Sequence, residues 1–249
     1  MQLITEIQQK LSVIVLAGDR TKADALIEAS DGDCKAMIDI DGLPMVRRVL
    51  NALRAAQLVN SITLSGPEAS ETAKDEVLTQ WIDSGEVGWL EPSVSPSTSA
   101  FSVMQTIPPD EPILLTTADH PLLTQEIVDA FGRQSLADDV DVAVGLAPHA
   151  LVTEAYPGIR KTVLHFSDGD FCGCYLFAFL TPEGRRLARF WRKIERQRKK
   201  PLVVISLLGW WAVIRYRLGL LSLEEALAKL GKRLGLRIRA VILPLSLIH

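Results

Sequence analysis

The sequence predicts an α/β fold: a mostly parallel central sheet flanked by helices, with a small β-hairpin region and a C-terminal helical annex. Three observations lead there. Short apolar runs of strand length alternate with amphipathic helical stretches through the first half of the chain. The runs are continuous rather than alternating, as in parallel strands covered on both faces. Each closes on a turn signal at its carboxyl end, the edge where such sheets bind ligands.

Residues Ser12–Ala17 (SVIVLA) make the first strand, which stops at Gly18. A polar loop runs from Gly18 to about Asp33. Lys35–Asp41 then leads into Gly42-Leu43-Pro44, a turn whose proline falls in the first turn of a helix. Met45, Val46, Val49, Leu50 and Leu53 recur at helical spacing and predict a helix of about 14 residues. Ser61–Leu64 is a second strand, ended by Ser65-Gly66-Pro67. A helix over Ala69–Ser84 and a short strand near Val87–Leu90 follow. The turn-rich Glu91–Ser99 precedes a short helix around Ala100–Thr106. Pro112–Thr116 is a third buried strand, closed by Thr117-Ala118-Asp119-His120-Pro121, and Thr124 begins another helix. This order is that of a Rossmann-like sheet.

The second half changes character. Val140–Leu146 reads as a strand, and Thr162–Phe166 with Cys174–Phe179 as a hairpin around Ser167–Asp170. From Pro182 the chain turns helical and basic, with nine Lys or Arg across Arg185–Lys200 against the single acid Glu195. An apolar stretch, Leu202–Ile214, comes next. A helix over Ser222–Leu234 and a last strand over Leu236–Leu243 complete the chain. With 249 residues, 48% of them hydrophobic, one large core is within reach, so residues 1–249 are read as a single domain.

Composition removes several function classes. The net charge of −3 gives no overall basic field, so no nucleic-acid partner is expected and an anion must be held by local geometry. Cys34, Cys172 and Cys174 are an odd number without a CxxC pair. That disfavours a disulfide framework or structural zinc and suits a reducing cytoplasm. The opening MQLITEIQQK has no apolar run behind a basic start, so no signal peptide is expected. Dinucleotide, P-loop and G-x-S-x-G patterns are all absent.

Gly18, Ser65 and Asp119 all lie at strand carboxyl ends, and this convergence carries more weight than any one of them. Gly18 permits close approach of backbone amides to a phosphate, and the guanidinium of Arg20 can hold two phosphate oxygens. Lys35 adds a mobile point charge. A carboxylate placed like Asp119 suits Mg²⁺ (or Mn²⁺), which takes one or two carboxylates plus substrate phosphates. His120 beside it is a poor ligand for that ion and reads as a packing or capping residue.

These residues resemble the nucleotidyltransferases of the GT-A-like class, and within it the molybdenum-cofactor guanylyltransferase-like group. The resemblance rests on Leu16-Ala17-Gly18, Arg20, Lys35-Ala36-Met37, Gly42-Leu43-Pro44-Met45, Thr117–Leu122 and Phe171–Phe177, and covers roughly residues 12–180. It implies that the loop after the first strand, with Leu16, Ala17 and Gly18, wraps a triphosphate. It further implies that Lys35 contacts phosphate, that Asp119 binds the metal, and that Arg20, Lys35 and Asp119 are the catalytic set. Ser65, Ser97, Thr98 and Ser99 become candidates for contacts to base or ribose, although Ser and Thr at a helix start also serve as caps. Gly173 and Cys174 fall on the acceptor side, Cys174 as a small buried residue rather than a nucleophile. The chain departs from the family's L-A-G-G-x-G-x-R loop, reading Leu16-Ala17-Gly18-Asp19-Arg20, and no acid follows Glu225 to supply a second metal ligand.

The expectation is a metal-dependent transfer of a nucleoside monophosphate from an NTP to a small phosphorylated or hydroxyl acceptor, with release of pyrophosphate. Residues 12–135 form the nucleotide-binding half; 136–249 form the acceptor half with its helical annex. A glycosyltransferase using a nucleotide-sugar and a non-catalytic nucleotide-binding protein of the same fold are the alternatives. Residues 185–214 read either as a solvated basic face beside a buried helix or as a peripheral membrane contact with Trp210 and Trp211 at the interface.

Overall fold

The computed structural model describes residues 9–18, 34–158, 161–188, 191 and 209–243. Its centre is an eight-stranded sheet. The first strand, β1 (Leu11–Leu16), is buried at every position. It pairs in parallel with β4 (Val59–Ser65) on one side and β6 (Ile113–Thr117) on the other, Leu16 standing opposite both Ser65 and Thr117. Beyond β4 lies the short parallel β5 (Gly88–Leu90). Between them in the chain, β2 (Asp39–Ile40) and β3 (Leu43–Pro44) form a separate two-stranded ribbon whose turn holds Asp41 and Gly42 at positive φ.

Past β6 the direction changes. The long β9 (Gly169–Phe179) runs antiparallel to β6, and it is followed by β7 (Val142–Pro148), antiparallel to β9, and β10 (Ile238–Ile242), parallel to β7. The full order is β10-β7-β9-β6-β1-β4-β5, with β8 (Val163–Phe166) folded back on the start of β9. The expected parallel sheet is therefore present with one antiparallel strand inserted into it.

Side-chain alternation along β1 feeds two cores. Leu11, Val13 and Val15 point to one face, where α1 (Met45–Ala55) and α5 (Gln125–Leu136) pack through Val46, Val49, Leu50, Leu53, Ile127, Val128 and Phe131. Ile14 and Leu16 point to the other, under Ala100, Val103 and Met104 of α4 (Pro96–Met104). Each such side chain contributes about 1.5–3 kcal/mol on burial, so covering both faces is what makes the continuous apolar strands stable.

Several boundaries differ from the sequence reading. The helix expected over Ala69–Ser84 is two, α2 (Ala69–Thr72) and α3 (Glu76–Asp83), because Asp75 leaves helical geometry and its carboxylate accepts from Leu78 N. The helix expected from Ala100 begins at Pro96, capped by Ser95, which accepts from Thr98 N. α1 has 11 residues, and Pro44 precedes it instead of lying within its first turn. A further helix, α6 (His149–Ala155), follows β7. α7 (Trp210–Arg217) buries Ala212 but leaves Trp210 and Trp211 exposed, so this part of the apolar stretch is not a buried helix. α8 (Leu223–Leu234) is capped by Ser222 and ended by left-handed Gly235, as capping chemistry predicts.

Candidate functional site

The aligned strand ends bring three loops together. Ala17 N donates to Ser65 O at 2.8 Å, Ala118 N to Leu16 O at 2.9 Å and Gly66 N to Leu90 O at 2.9 Å. Side chains are excluded where these loops touch. A Cβ on Gly66 would lie 2.9 Å from Gly18 N, and one on Gly18 would lie 2.8 Å from Pro92 Cβ. Gly66 also has φ 79°, a conformation that an L side chain rarely adopts. Gly18, Ser65 and Asp119 thus share one edge of the sheet.

Lys35 enters from the 3-10 turn Lys35–Met37, where buried Cys34 and Ala36 alternate with it and turn its side chain outward. Its Nζ donates to Asp119 Oδ2 at 2.7 Å, across 84 residues of sequence. Both side chains are about a quarter to a third exposed, at 23% and 35%. The pair is a charge-assisted contact open to solvent, not a buried structural bridge. Arg20 lies outside the described residues, as does most of the first loop.

Ser65 is buried, and its Oγ has no hydrogen-bond partner among the described residues. Ser97, Thr98 and Ser99 occupy the first turn of α4. Ser95 Oγ lies 3.1 Å from Ser97 Oγ and 3.0 Å from Thr98 Oγ1, while Ser99 Oγ accepts from Ser93 N at 2.9 Å. These contacts knit the 93–99 segment to itself at the start of α4.

Gly173 and Cys174 were expected at the start of a strand; they lie in the middle of β9, because the hairpin turns at Ser167-Asp168 and Asp170 already pairs with His165. The pairing of Leu115 with Phe177, continued along the strands, carries positions 173–175 to the edge where Asp119 stands. Gly173 is exposed, with open space where a Cβ would be. Cys174 is buried, and burial pushes its thiol up to about 11, so it is not a thiolate nucleophile.

Three residues that the sequence reading passed over or set aside also gather here. His120 turns its ring edge-on to Tyr175, centroids 6.5 Å apart, and its buried Nδ1 has no hydrogen-bond partner among the described residues. Desolvation by burial first, then the charge of Lys161, lowers its pKa to about 4 against the opposing pull of Asp119, so the imidazole is neutral. Lys161 and Tyr175 are exposed at the same edge. Tyr175 falls inside the Phe171–Phe177 stretch that carries the resemblance but has no role of its own in it, and no motif marks Lys161.

The described residues contain no group of three or more His, Cys, Asp and Glu able to cage a metal. The donor set fits a hard divalent cation of another kind: one solvent-facing carboxylate, Asp119, with the remaining ligands drawn from phosphate oxygens and water.

The basic segment has a different role where it is described. The Arg185 guanidinium donates to the carbonyls of Met104 and Ile107 at 3.3 and 2.9 Å, and also to those of Pro108 and Glu111, tying the α4–β6 connection to the start of the annex. Residues 189–190 and 192–208, the rest of that reading, lie outside the described residues. Among the described residues no helix is long and apolar enough to cross a membrane.

Comparison with known proteins agrees with this architecture. A hypothetical transferase from Thermus thermophilus superposes with a TM-score of 0.76 at 25% identity, covering 96% of this chain and 95% of that one. Two others share the fold. A CMP:2-keto-3-deoxy-manno-octonic acid synthetase complexed with CTP matches at TM-score 0.55 and 13% identity, over 94% of this chain and 90% of that one. A 4-diphosphocytidyl-2C-methyl-D-erythritol synthase from Anaerococcus prevotii matches at 0.53 and 11%, over 94% and 87%. No curated protein matches the chain in sequence. The model of the MobA-like NTP transferase domain matches residues 13–170, which hold β1, Lys35, β6 and Asp119. On that match the chain belongs to the MobA-like NTP transferase family, a family of nucleotidyltransferase enzymes.

Proposed function

We propose that this chain transfers a nucleoside monophosphate from an NTP to a small phosphorylated or hydroxyl acceptor, releases pyrophosphate, and depends on a divalent metal. The observation that carries the reading is the Lys35–Asp119 pair at the edge shared by β1, β4 and β6, beside Gly18. Without nucleotide the two charges offset each other. With a triphosphate in place, Lys35 Nζ would exchange its carboxylate partner for phosphate oxygens, leaving Asp119 as the residue that would hold the metal. Asp119 would hold Mg²⁺ or Mn²⁺, and such an ion would neutralise charge on the triphosphate and on the departing pyrophosphate. Arg20, from the first loop, adds a bidentate contact to phosphate.

The close packing of Gly18 on Pro92 and of Gly66 on Gly18 fixes the loop that this reading assigns to the triphosphate. Ser65 Oγ, buried and unpartnered, offers a hydrogen bond to the nucleotide, and the Ser97–Ser99 turn shapes the rim on which base and ribose rest. An acceptor oxygen attacks the α-phosphorus in line. The new O–P bond forms as the bond to the β-phosphate bridging oxygen breaks, and that electron pair leaves with pyrophosphate. A hydroxyl acceptor gives its proton to water, whereas a phosphate oxygen has none to lose. Alignment and charge stabilisation account for the catalysis, with no covalent enzyme intermediate.

The test is a thermal-shift screen of NTPs with and without Mg²⁺, on the parent and on Asp119→Ala. A ligand that binds only the folded form stabilises it by about 2.7 kcal/mol at a hundredfold excess over its dissociation constant. The parent should show that shift with Mg²⁺ and one or more NTPs, and Asp119→Ala should lose it. Equal responses from the two proteins would remove Asp119 from the metal site.

A further inference from the structure

The pairing of β9 with β7 is interrupted at one place. Val144 stands opposite Phe177 and Leu146 opposite Gly173, so three residues of β9, Cys174, Tyr175 and Leu176, face the single residue Gly145. Such a bulge re-aims side chains, and bulges gather beside active sites. The sequence accommodates it: a Cβ on Gly145 would lie 3.0 Å from Leu176 Cβ, a tight contact that glycine avoids. At the centre of the bulge Tyr175 takes φ 55°, a strained choice for a tyrosine, and its side chain is 41% exposed. The bulge aims the ring at His120 rather than into a core.

A cation completes the group. Val163 pairs with Cys172, so the same antiparallel register carried two residues further sets position 161 across from Cys174, beside the bulge. Consistent with that position, the charge of Lys161 acts on His120, Cys172 and Cys174. Its side chain is exposed and forms no ion pair among the described residues. An ammonium with no ion pair among the described residues, an imidazole whose buried Nδ1 is unpartnered there and a phenol held in strained backbone therefore converge next to Asp119. Open space at Gly173 adjoins them.

We propose that Lys161, His120 and Tyr175 form the acceptor end of the site, and that the acceptor is a small molecule anchored there by an oxyanion, a phosphate or a carboxylate. This rests on the nucleotidyl-transfer reading and narrows its acceptor class. Lys161 supplies the charge, and the imidazole and the phenol supply directional hydrogen bonds. The anchored acceptor would lie on the Asp119 side of the sheet edge, with its attacking oxygen turned toward the α-phosphate.

The probes are glycerol 3-phosphate and glycerate, each titrated by calorimetry into the full chain, alone and with saturating non-hydrolysable NTP analogue plus Mg²⁺. One of the two should bind to the parent and bind at least tenfold more weakly to Lys161→Ala, while Lys161→Arg retains binding. Lys35→Ala should leave that anion affinity unchanged. Selective binding of the phosphate ester or of the carboxylate assigns the anchor. Absence of binding, equal binding by Lys161→Ala, or loss of binding in Lys35→Ala instead would overturn the proposal. Lys161 is exposed, so its variants should keep the parent's melting temperature. Metal-dependent NTP binding, followed in parallel, separates the two failures. If it persists while anion binding is independent of Lys161, only the acceptor assignment falls; if it is absent, the nucleotidyl reading falls as well.

Discussion

Tyr175 adopts φ 55°, where a side chain other than glycine costs about 1–3 kcal/mol of strain. Glycine takes that conformation freely. Tyr175→Gly is therefore expected to leave the unfolding free energy within about 1 kcal/mol of the parent, whereas removing a buried aromatic side chain costs about 3–5 kcal/mol. Urea denaturation measures the difference, and a loss in the larger range would show that Tyr175 is kept for packing. The same scale explains what could be read in advance. Lys35 and Asp119 were legible because each stands beside a strong local signal, a strand end or a helix-leading turn. Tyr175 and Lys161 were not, since what places them is a mismatch of residue counts between β9 and β7 and the register of β8 on β9. His120 was dismissed as a packing residue, and half of that is right: it is neutral and partly buried.

Elements are held in place by side chains that close their ends. At the edge opposite the site, Asp141 binds β7 to β10. It accepts from Arg237 N at 2.7 Å and Thr181 Oγ1 at 2.9 Å, and pairs with the Arg237 guanidinium at 3.1 Å. The Arg237 hydrogen bond is the main reason its carboxyl titrates below the usual range, against an opposing desolvation. The folded form thus binds fewer protons than the unfolded chain as the pH drops. Its stabilisation is complete above the unfolded carboxylate value of about 4 and is lost as pH falls through the lower folded value. Asp141→Asn should cost about 1–3 kcal/mol at pH 7, with the gap to the parent narrowing at pH 3. Urea midpoints at the two pH values measure this, and equal midpoints at pH 7 would rule out the knot. Arg237 and Asp141 are 96 residues apart, so no local pattern announces them. Element existence was mostly legible from periodicity and caps. The break at Asp75 and the early start at Pro96 were not, because capping side chains there outweighed the apolar pattern. The helix α6 buries only Val152, too little for a periodic signal.

The whole molecule departs from a plain parallel sheet through β9, and no local sequence feature states which strands a strand will lie between. Residues 169–179 separate β6 from β7 and give the second half of the chain the task of finishing the first half's sheet. Ile113, Leu114 and Leu115 of β6 are at most 1% exposed in the complete fold. A fragment spanning residues 12–135 should therefore fail to fold alone, leaving a long apolar edge strand unpaired. Its amide NMR spectrum should be collapsed rather than dispersed, and a well-dispersed spectrum would make the two halves separable. One consequence reaches back to the ribosome. As the nascent chain emerges, β6 waits through some 60 residues for its partner, roughly 3–12 s at ordinary elongation rates. Throughout that interval an incomplete hydrophobic edge is open to chaperones and to other nascent chains. The late arrival of the inserted strand thus sets the length of time for which newborn copies of this protein are exposed to aggregation.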